Sequence, residues 1–411
     1  MRVWIVNYYT SPDCSNPRYL QLAKHFMAKG WDVTTFYANY NGADTNPIFK
    51  REIVNGLDFV QVRVSNYEGN GIKRMYSIWT FAWRLLRHCN RFERPDVVLH
   101  NIHTPFDYPV VWVSKKLKAK YIAEAWDLWP DEFANYGLVS RKNPAMKFFY
   151  WVEKRLYYHA DKLVFTFLGG IDYIKRKGWT TDNGGKIDIS NVYYINNGVD
   201  LKQFDFDKDN YPRNDEDINR QDIIKIIYVG SINLVNHVKT LIDAASLMKE
   251  DKRYHFFIYG DGAYRDKLEE YVKEKAISNV TFKEKHIPFQ EVAWVVSQAT
   301  VNVMNYEKGF GNIGVSSGKL FQYLAAGKPI VCNVSIAYDD VITNNRIGIA
   351  KDLDTAEDFA EAIRSLTNLS ITEYNSMCER VRKVAEQFDY NIIATKEIDV
   401  INMAVSNAIV R

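Results

Sequence analysis

The chain has 411 residues, of which 47% are hydrophobic and 25% charged. That is the balance of a folded globule with room for two domains, and it excludes disorder as the main state. Lys and Arg number 53 against 50 Asp and Glu, a formal net charge of +3, too small an excess to single out a nucleic acid as partner. The four cysteines, Cys14, Cys89, Cys332 and Cys378, form no Cys-x-x-Cys pair. Neither a zinc ribbon nor a disulfide framework is encoded, and a reducing cytoplasm is the expected compartment.

The opening Met1-Arg-Val-Trp-Ile-Val-Asn7 turns polar too soon for the apolar core of a signal peptide, and no later run reaches the ~18 apolar residues of a membrane span. The expectation is a chain that is neither exported nor crosses a bilayer. Residues 3–7 read as a strand. A helix follows, with Asn16 as its cap, Pro17 in its first turn, Leu20, Ala23 and Met27 on one face and Gly30 at its end. Further strands are predicted at 32–37, 57–63, 96–100, 120–125, 162–167 and 192–196, with helices in most of the gaps. This alternation is that of a parallel sheet covered on both faces, an α/β fold.

Residues 205–222, polar, acidic and aperiodic, read as a linker that closes a first domain at 204. A second βα series then begins, with strands near 224–229, 254–259, 280–283, 300–305 and 329–333 and helices at 262–275 and 317–326. Two such halves, 1–204 and 223–385, would face a central cleft, and ligands of open α/β sheets bind beyond the carboxyl ends of the strands.

The most informative segment is Ser316-Ser-Gly-Lys-Leu-Phe-Gln-Tyr-Leu-Ala-Ala-Gly-Lys-Pro-Ile-Val331. Small residues open a helix there and Lys319 lies in its first turn, so main-chain N–H groups and an ammonium together offer an anion site. Taken alone, this is also what any loop-to-helix junction of an α/β protein offers. Lys319-Leu-Phe-Gln-Tyr-Leu-Ala-Ala-Gly-Lys-Pro329 resembles a segment of the GT-B fold glycosyltransferases of family 4, particularly those of bacterial envelope polysaccharides. Asp127-Leu-Trp-Pro130, Asn197-Gly-Val-Asp200 and Tyr228-Val-Gly-Ser231 resemble further family segments in the same order, over nearly the whole chain.

The resemblance implies two Rossmann-like domains and a retaining, metal-independent transfer of a sugar from a nucleotide-diphosphate donor to a saccharide acceptor, lipid-linked in the envelope enzymes. It places Gly230, Ser231, Lys319 and Leu320 near the diphosphate, Gly260 near the nucleoside, and Ser316 and Ser317 near the transferred sugar. The family's usual Arg and Lys after the first strand of the second domain are Ser231 and Asn236 here. Lys319 and backbone dipoles are left with more of the phosphate charge, and Asn233 is an additional candidate. Gln322 stands where the family has a carboxylate for the ribose hydroxyls; an amide still accepts one hydroxyl proton, without charge assistance. That substitution keeps a non-catalytic partner subunit as an alternative, and a nucleotide-sugar epimerase of the same fold is a second.

In the first domain, Glu124-Ala-Trp-Asp127 and His100-Asn-Ile-His103 end two strands, where carboxylates and imidazoles can orient acceptor and sugar hydroxyls. Asp127, His103 and Glu124 are the candidates, His103 standing in for a family histidine whose position Trp126 occupies. For each histidine the competing reading is a satisfied structural hydrogen bond.

Gly314-Val-Ser-Ser-Gly318 also matches a nucleophile elbow, yet the last histidine is His286, so the hydrolase order of Ser, acid and His is impossible. Gly260-Asp-Gly-Ala-Tyr-Arg265 lacks the third glycine of a dinucleotide fingerprint. Asp205 to Glu216 mimics the spacing of a calcium loop but has Asn210 at the turn glycine. No metal or other cofactor is expected.

Residues 73–94 carry Lys73, Arg74, Arg84, Arg87, Arg91 and Arg94 against a single acid, Glu93, with Trp79, Trp83 and Leu86 at helical spacing. Lys147-Phe-Phe-Tyr-Trp-Val-Glu-Lys-Arg155 has the same character. Such helices either rest on an anionic membrane face or bury the aromatic stripe. The stretch from Phe388 to about 408, within a C-terminal segment 386–411, resembles the family's final helix returning to the first domain.

Overall fold

The computed structural model describes residues 1–14, 16–40, 47–67, 69, 71–131, 134 and 139–406. Its strands in chain order are β1 (Arg2–Val6), β2 (Asp32–Asn39), β3 (Phe49–Val54), β4 (Leu57–Arg63), β5 (Val97–Asn101), β6 (Lys120–Ala125), β7 (Lys162–Phe165) and β8 (Val192–Tyr194), then β9 (Ile224–Val229), β10 (Tyr254–Tyr259), β11 (Val280–Phe282), β12 (Val301–Met304), β13 (Ile330–Cys332) and β14 (Gly348–Ala350). The first eight form one sheet in the order β3-β4-β2-β1-β5-β6-β7-β8 and the last six a second, β11-β10-β9-β12-β13-β14. Among the described residues every pair of these strands is parallel except β3 with β4.

The chain divides into two compact units, Met1–Asn196 with Tyr390–Arg411, and Asn197–Asp389. The helices of the first are α1 (Arg18–Ala28), α2 (Ile72–His88), α3 (Pro109–Leu117), α4 (Pro144–Tyr158) and α5 (Gly169–Arg176). Those of the second are α6 (Leu201–Asn210), α7 (Glu216–Asn219), α8 (Val238–Met248), α9 (Arg265–Glu274), α10 (Phe289–Ser297), α11 (Gly318–Ala326), α12 (Val341–Asn344), α13 (Ala356–Thr367) and α14 (Ile371–Ala385). The last helix, α15 (Tyr390–Ser406), belongs to the first unit, where Ile393, Ala394 and Ile401 join Val3, Ile5, Leu22 and Phe26 in one core. Residues 407 and 408, the expected end of that helix, lie outside the described residues. Among the described residues no helix is long and apolar enough to cross a membrane.

Central strands such as β5 and β7 are buried at every position, as parallel strands covered on both faces must be. The sequence reading missed β3, whose Lys50, Arg51 and Glu52 break the apolar pattern. It is an antiparallel edge strand joined to β4 by Asn55-Gly56, both with positive φ (52° and 78°), a two-residue hairpin turn. Charged side chains on such an edge discourage further pairing.

The structure corrects two more expectations. The buried face of α1 is Tyr19, Leu22, Ala23 and Phe26; Met27 is exposed. Tyr19 and Phe26 carry the larger apolar areas, so the helix turns them inward. The expected linker 205–222 is not aperiodic chain: residues 201–210 form α6 and 216–219 form α7. Asp200 caps α6 by accepting from the Gln203 N–H at 2.9 Å, and Asp215 caps α7 by accepting from the Asp217 and Ile218 N–H groups. Phe204 anchors α6 in the core formed by Leu320, Phe321 and Val381. A capped helix with one buried aromatic leaves almost no periodicity to read.

Candidate functional site

Gly230 follows β9, Gly260 follows β10, and Lys319 is the second residue of α11. A Cβ on Gly260 would stand 1.8 Å from the Gly230 carbonyl oxygen, and one on Gly230 would stand 2.9 Å from Lys319 Nζ. The two loops and the lysine therefore meet at a distance that only glycine permits. The backbone agrees, with φ of +125° at Gly260 and +157° at Gly230.

Lys319 is half-buried. Its Nζ donates to Tyr228 Oη at 3.3 Å and lies 4.6 Å from the Tyr228 ring centroid and 5.0 Å from that of Tyr306. These aromatic faces offset part of the lost hydration of the cation. Among the described residues no carboxylate reaches it, and burial pushes the ammonium down to about 8. Beside it, Ser317 occupies the cap position of α11 but its side chain makes no capping bond. The Leu320 N–H donates to Ser317 O at 3.0 Å, while the N–H groups of Gly318 and Lys319 have no partner among the described residues. A cation without a counter-charge next to an uncapped helix start has the chemistry to hold an anion.

Neighbouring side chains fix these loops. Tyr228 Oη donates to Ser231 O at 2.7 Å, and the Val229 N–H donates to Tyr323 Oη at 3.0 Å. Arg265 is buried and its guanidinium donates to Gly260 O and, at 2.6 Å, to Lys283 O. Asn197 Nδ2 donates to Ser316 O at 2.8 Å and to Ser316 Oγ at 3.1 Å. The sequence motifs contain Tyr228, Asn197, Tyr323 and Arg265 alike, but no motif gives any of the four a task. For Tyr323 the available signal is a polar group inside an otherwise apolar stretch; Arg265 sits in a charged stretch that gives none.

Ser231 Oγ donates to Asn236 Oδ1 at 3.0 Å, and Asn233 Oδ1 accepts from the Ala263 N–H at 3.1 Å. At the two positions where the family's resemblance implies cations, the chain holds a neutral hydrogen-bonded pair. Gln322 is half-buried, and among the described residues its side chain makes no hydrogen bond, so its amide is open to an outside partner.

In the first unit the three candidates separate. Asp127, two residues past β6, is exposed and makes no hydrogen bond or ion pair among the described residues. His103, two residues past β5, packs edge-on against Tyr9 at 4.9 Å, and its Nε2 is buried with no hydrogen-bond partner among the described residues. Burial, then the nearby Arg74, push its imidazole to about 3, so the ring is neutral. His100 is a structural residue paired with Tyr121 Oη at 2.8 Å.

Glu124 is not brought to the strand-end surface. It is fully buried, 2.6 Å from the Arg18 guanidinium, which also reaches Glu397 of α15 at 3.3 Å and donates to Asn196 O at 2.8 Å. Its other oxygen accepts from Trp126 Nε1 at 3.1 Å. A carboxylate so engaged ties α1, β6 and α15 together.

Two successive βα units, each built on a mostly parallel sheet, are those of a GT-B fold. Residues 212–387 match the group 1 glycosyl transferases and residues 15–183 the glycosyl transferase 4-like domain. The chain thus belongs to the GT-B glycosyltransferases of family 4.

Sucrose-phosphate synthase from Thermosynechococcus elongatus has the same fold, with TM-score 0.76 and 18% identity over 99% of this chain and 100% of that one. So has WaaG, a glycosyltransferase involved in lipopolysaccharide biosynthesis, with TM-score 0.69 and 16% identity over 97% and 99% of the two chains. Anabaena HepE in complex with UDP and glucose follows at TM-score 0.68 and 12% identity, over 98% and 100%. A local match of 37% identity over 84 residues links the chain to the UDP-N-acetylglucosamine–N-acetylmuramyl-(pentapeptide) pyrophosphoryl-undecaprenol N-acetylglucosamine transferase of Sodalis glossinidius, and it spans 20% of this chain and 22% of that relative.

Proposed function

We propose that the chain is a retaining, metal-independent hexosyltransferase. It takes a sugar from a nucleotide-diphosphate donor and passes it to a saccharide acceptor, lipid-linked, in the assembly of a bacterial surface polysaccharide of the capsule or lipopolysaccharide type. It works in the cytoplasm, peripherally on the inner face of the membrane. The observation that carries the reading is Lys319, without a counter-charge, held over Gly230 beside the open start of α11. The functions of the local relative and of WaaG support the lipid-linked and surface-polysaccharide parts.

As the bond to the sugar breaks, negative charge collects on the departing diphosphate while the sugar gains oxocarbenium character. Lys319 and the N–H groups of Gly318 and Lys319 are already aimed where that charge develops, so little reorganisation is needed. Ser231 and Asn233 border the diphosphate, with Leu320 packing beneath it. Gly260 lets the nucleoside lie against the backbone, Gln322 accepts a ribose hydroxyl, and Ser316 and Ser317 address the transferred sugar. On the first unit, exposed Asp127 and neutral His103 take acceptor and sugar hydroxyls. Glu124 has no reactive part, because Arg18 and Trp126 occupy its carboxylate.

The test is turnover with a panel of nucleotide sugars in the presence of a chelator, with the anomeric configuration of the product read by NMR. Lys319→Ala should lower kcat/KM by about 10²- to 10³-fold with the fold intact. Asp127→Asn checks the other unit independently. Unchanged turnover in Lys319→Ala overturns the assignment. Isomerisation of the donor without acceptor would mark an epimerase, and inertness toward every donor, with a transferase copurifying, would mark a non-catalytic partner, the alternative that Gln322 supports.

A further inference from the structure

Three helices of the first unit carry an aromatic surface that the transfer reaction does not use. On α2, Ile78, Phe81, Ala82 and Leu85 are buried, so the stripe of Tyr76, Trp79 and Trp83 is not the core-facing one. These three rings stack along the exposed side, with centroids 6.0 and 5.5 Å apart and planes within 28° and 12°. On α4, Phe148 and Trp151 stack at 6.1 Å and remain 55% and 54% exposed, and Trp112 of α3 is 44% exposed. Trp79, Trp112, Phe148 and Trp151 wall a groove of about 540 Å³ with Pro105 and Phe106. Water-exposed protein surfaces rarely leave so many large rings together uncovered, and patches of this kind mark interaction sites.

The charges around these rings have one sign. α2 contains Lys73, Arg74, Arg84 and Arg87, α3 contains Lys115 and Lys116, and α4 contains Lys147, Lys154 and Arg155. The three helices hold a single acid, Glu153, and it is buried against Tyr173 Oη at 2.8 Å. Every charge they expose is therefore positive, although the chain as a whole is nearly balanced. Arg155 lines the groove itself, its guanidinium 5.3 Å from the Trp151 ring centroid, and among the described residues it meets no carboxylate.

We infer that this three-helix face docks on the leaflet of a bilayer rich in anionic phospholipid, with an acyl chain seated in the Trp79–Trp112–Trp151 groove and a lipid phosphate held by Arg155. Rings that belong at the water–hydrocarbon boundary, a concave apolar slot and a ring of cations match that surface in shape and charge together. The rings run over two turns of α2, with Tyr76 and Trp83 on either side of the groove-lining Trp79, more than a single bound chain would cover. The inference deepens the lipid-linked reading by naming the face that meets the membrane, and it rests on that reading only for its purpose.

The experiment is flotation of the full chain with vesicles of phosphatidylcholine alone or with about a third phosphatidylglycerol, followed by tryptophan quenching with bromine-labelled lipid. The wild type should float with the anionic vesicles at least tenfold more than with the neutral ones, and its tryptophans should be quenched. Phe148→Ser with Trp151→Ser, both exposed positions, should keep the thermal transition and lose at least tenfold in binding. Arg155→Glu should lose several-fold on anionic vesicles only. Absence of flotation, equal binding by the double variant, a dimer that this variant abolishes, or preferential binding of single-stranded RNA would each overturn the inference. No nucleotide sugar or acceptor is present, so docking can fail while transfer to a water-soluble acceptor stands, and the reverse.

Discussion

Lys319 is the residue whose protonation carries the most consequence. With its ammonium pushed down to about 8 by burial, it is charged at pH 7 and largely neutral at pH 9. A bound diphosphate stabilises the charged form, so affinity must fall as pH rises through that range. For a single proton the loss is about tenfold between pH 7 and 9, read by titration calorimetry, and it should vanish in Lys319→Ala. The buried trio of Arg18, Glu124 and Glu397 makes a second residue-scale prediction. Burial, then Glu124, hold the Glu397 carboxyl well above its usual range. A raised folded-state value gives stability that is full below the unfolded value near 4 and drains away as pH rises through the folded one. Glu397→Gln, which mimics the protonated form, should melt no lower than wild type at pH 8. Arg18→Met leaves Glu124 buried without a counter-charge and should cost about 3–5 kcal/mol.

At the scale of elements, the start of α11 and the loops after β9 and β10 act as one piece, because Gly260 has no room for a Cβ against the Gly230 carbonyl. Gly260→Ala should displace that backbone, abolish nucleotide binding in a thermal-shift assay and lower stability by more than the ~1 kcal/mol of an ordinary glycine change. Asp200→Ala removes the cap of α6 and should cost about 1 kcal/mol in a denaturant titration without touching donor affinity. The elements that sequence reading found are those with a strong period or a small-residue signature, such as β1, β5, β9 and α11. The ones it missed have physical reasons. α6 is acidic and nearly without an apolar stripe, held by one cap and Phe204, and β3 alternates charges at a sheet edge. The turn that makes the β3 hairpin, Asn55-Gly56, was nevertheless written in the sequence.

Across the molecule, the alternation of strands and helices told of two α/β units. What the sequence concealed was set by tertiary partners. The first unit ends at Asn196, ahead of the polar stretch, and Asn197 bonds Ser316 of its own unit, more than a hundred residues away. Glu124 looked like an open strand-end carboxylate because Arg18 and Glu397 are distant in sequence. The aromatic stripe of α2 could have faced either way until the opposite side, Ile78, Phe81 and Leu85, was seen to be the buried one. The account stands on recognition of a nucleoside diphosphate by the second unit. Calorimetric titration of the full chain with UDP, GDP and ADP at pH 7 tests this directly, repeated with Lys319→Ala. Binding of at least one of them, weakened tenfold or more in the variant, is the predicted result; binding of none, or equal binding by both proteins, would contradict it.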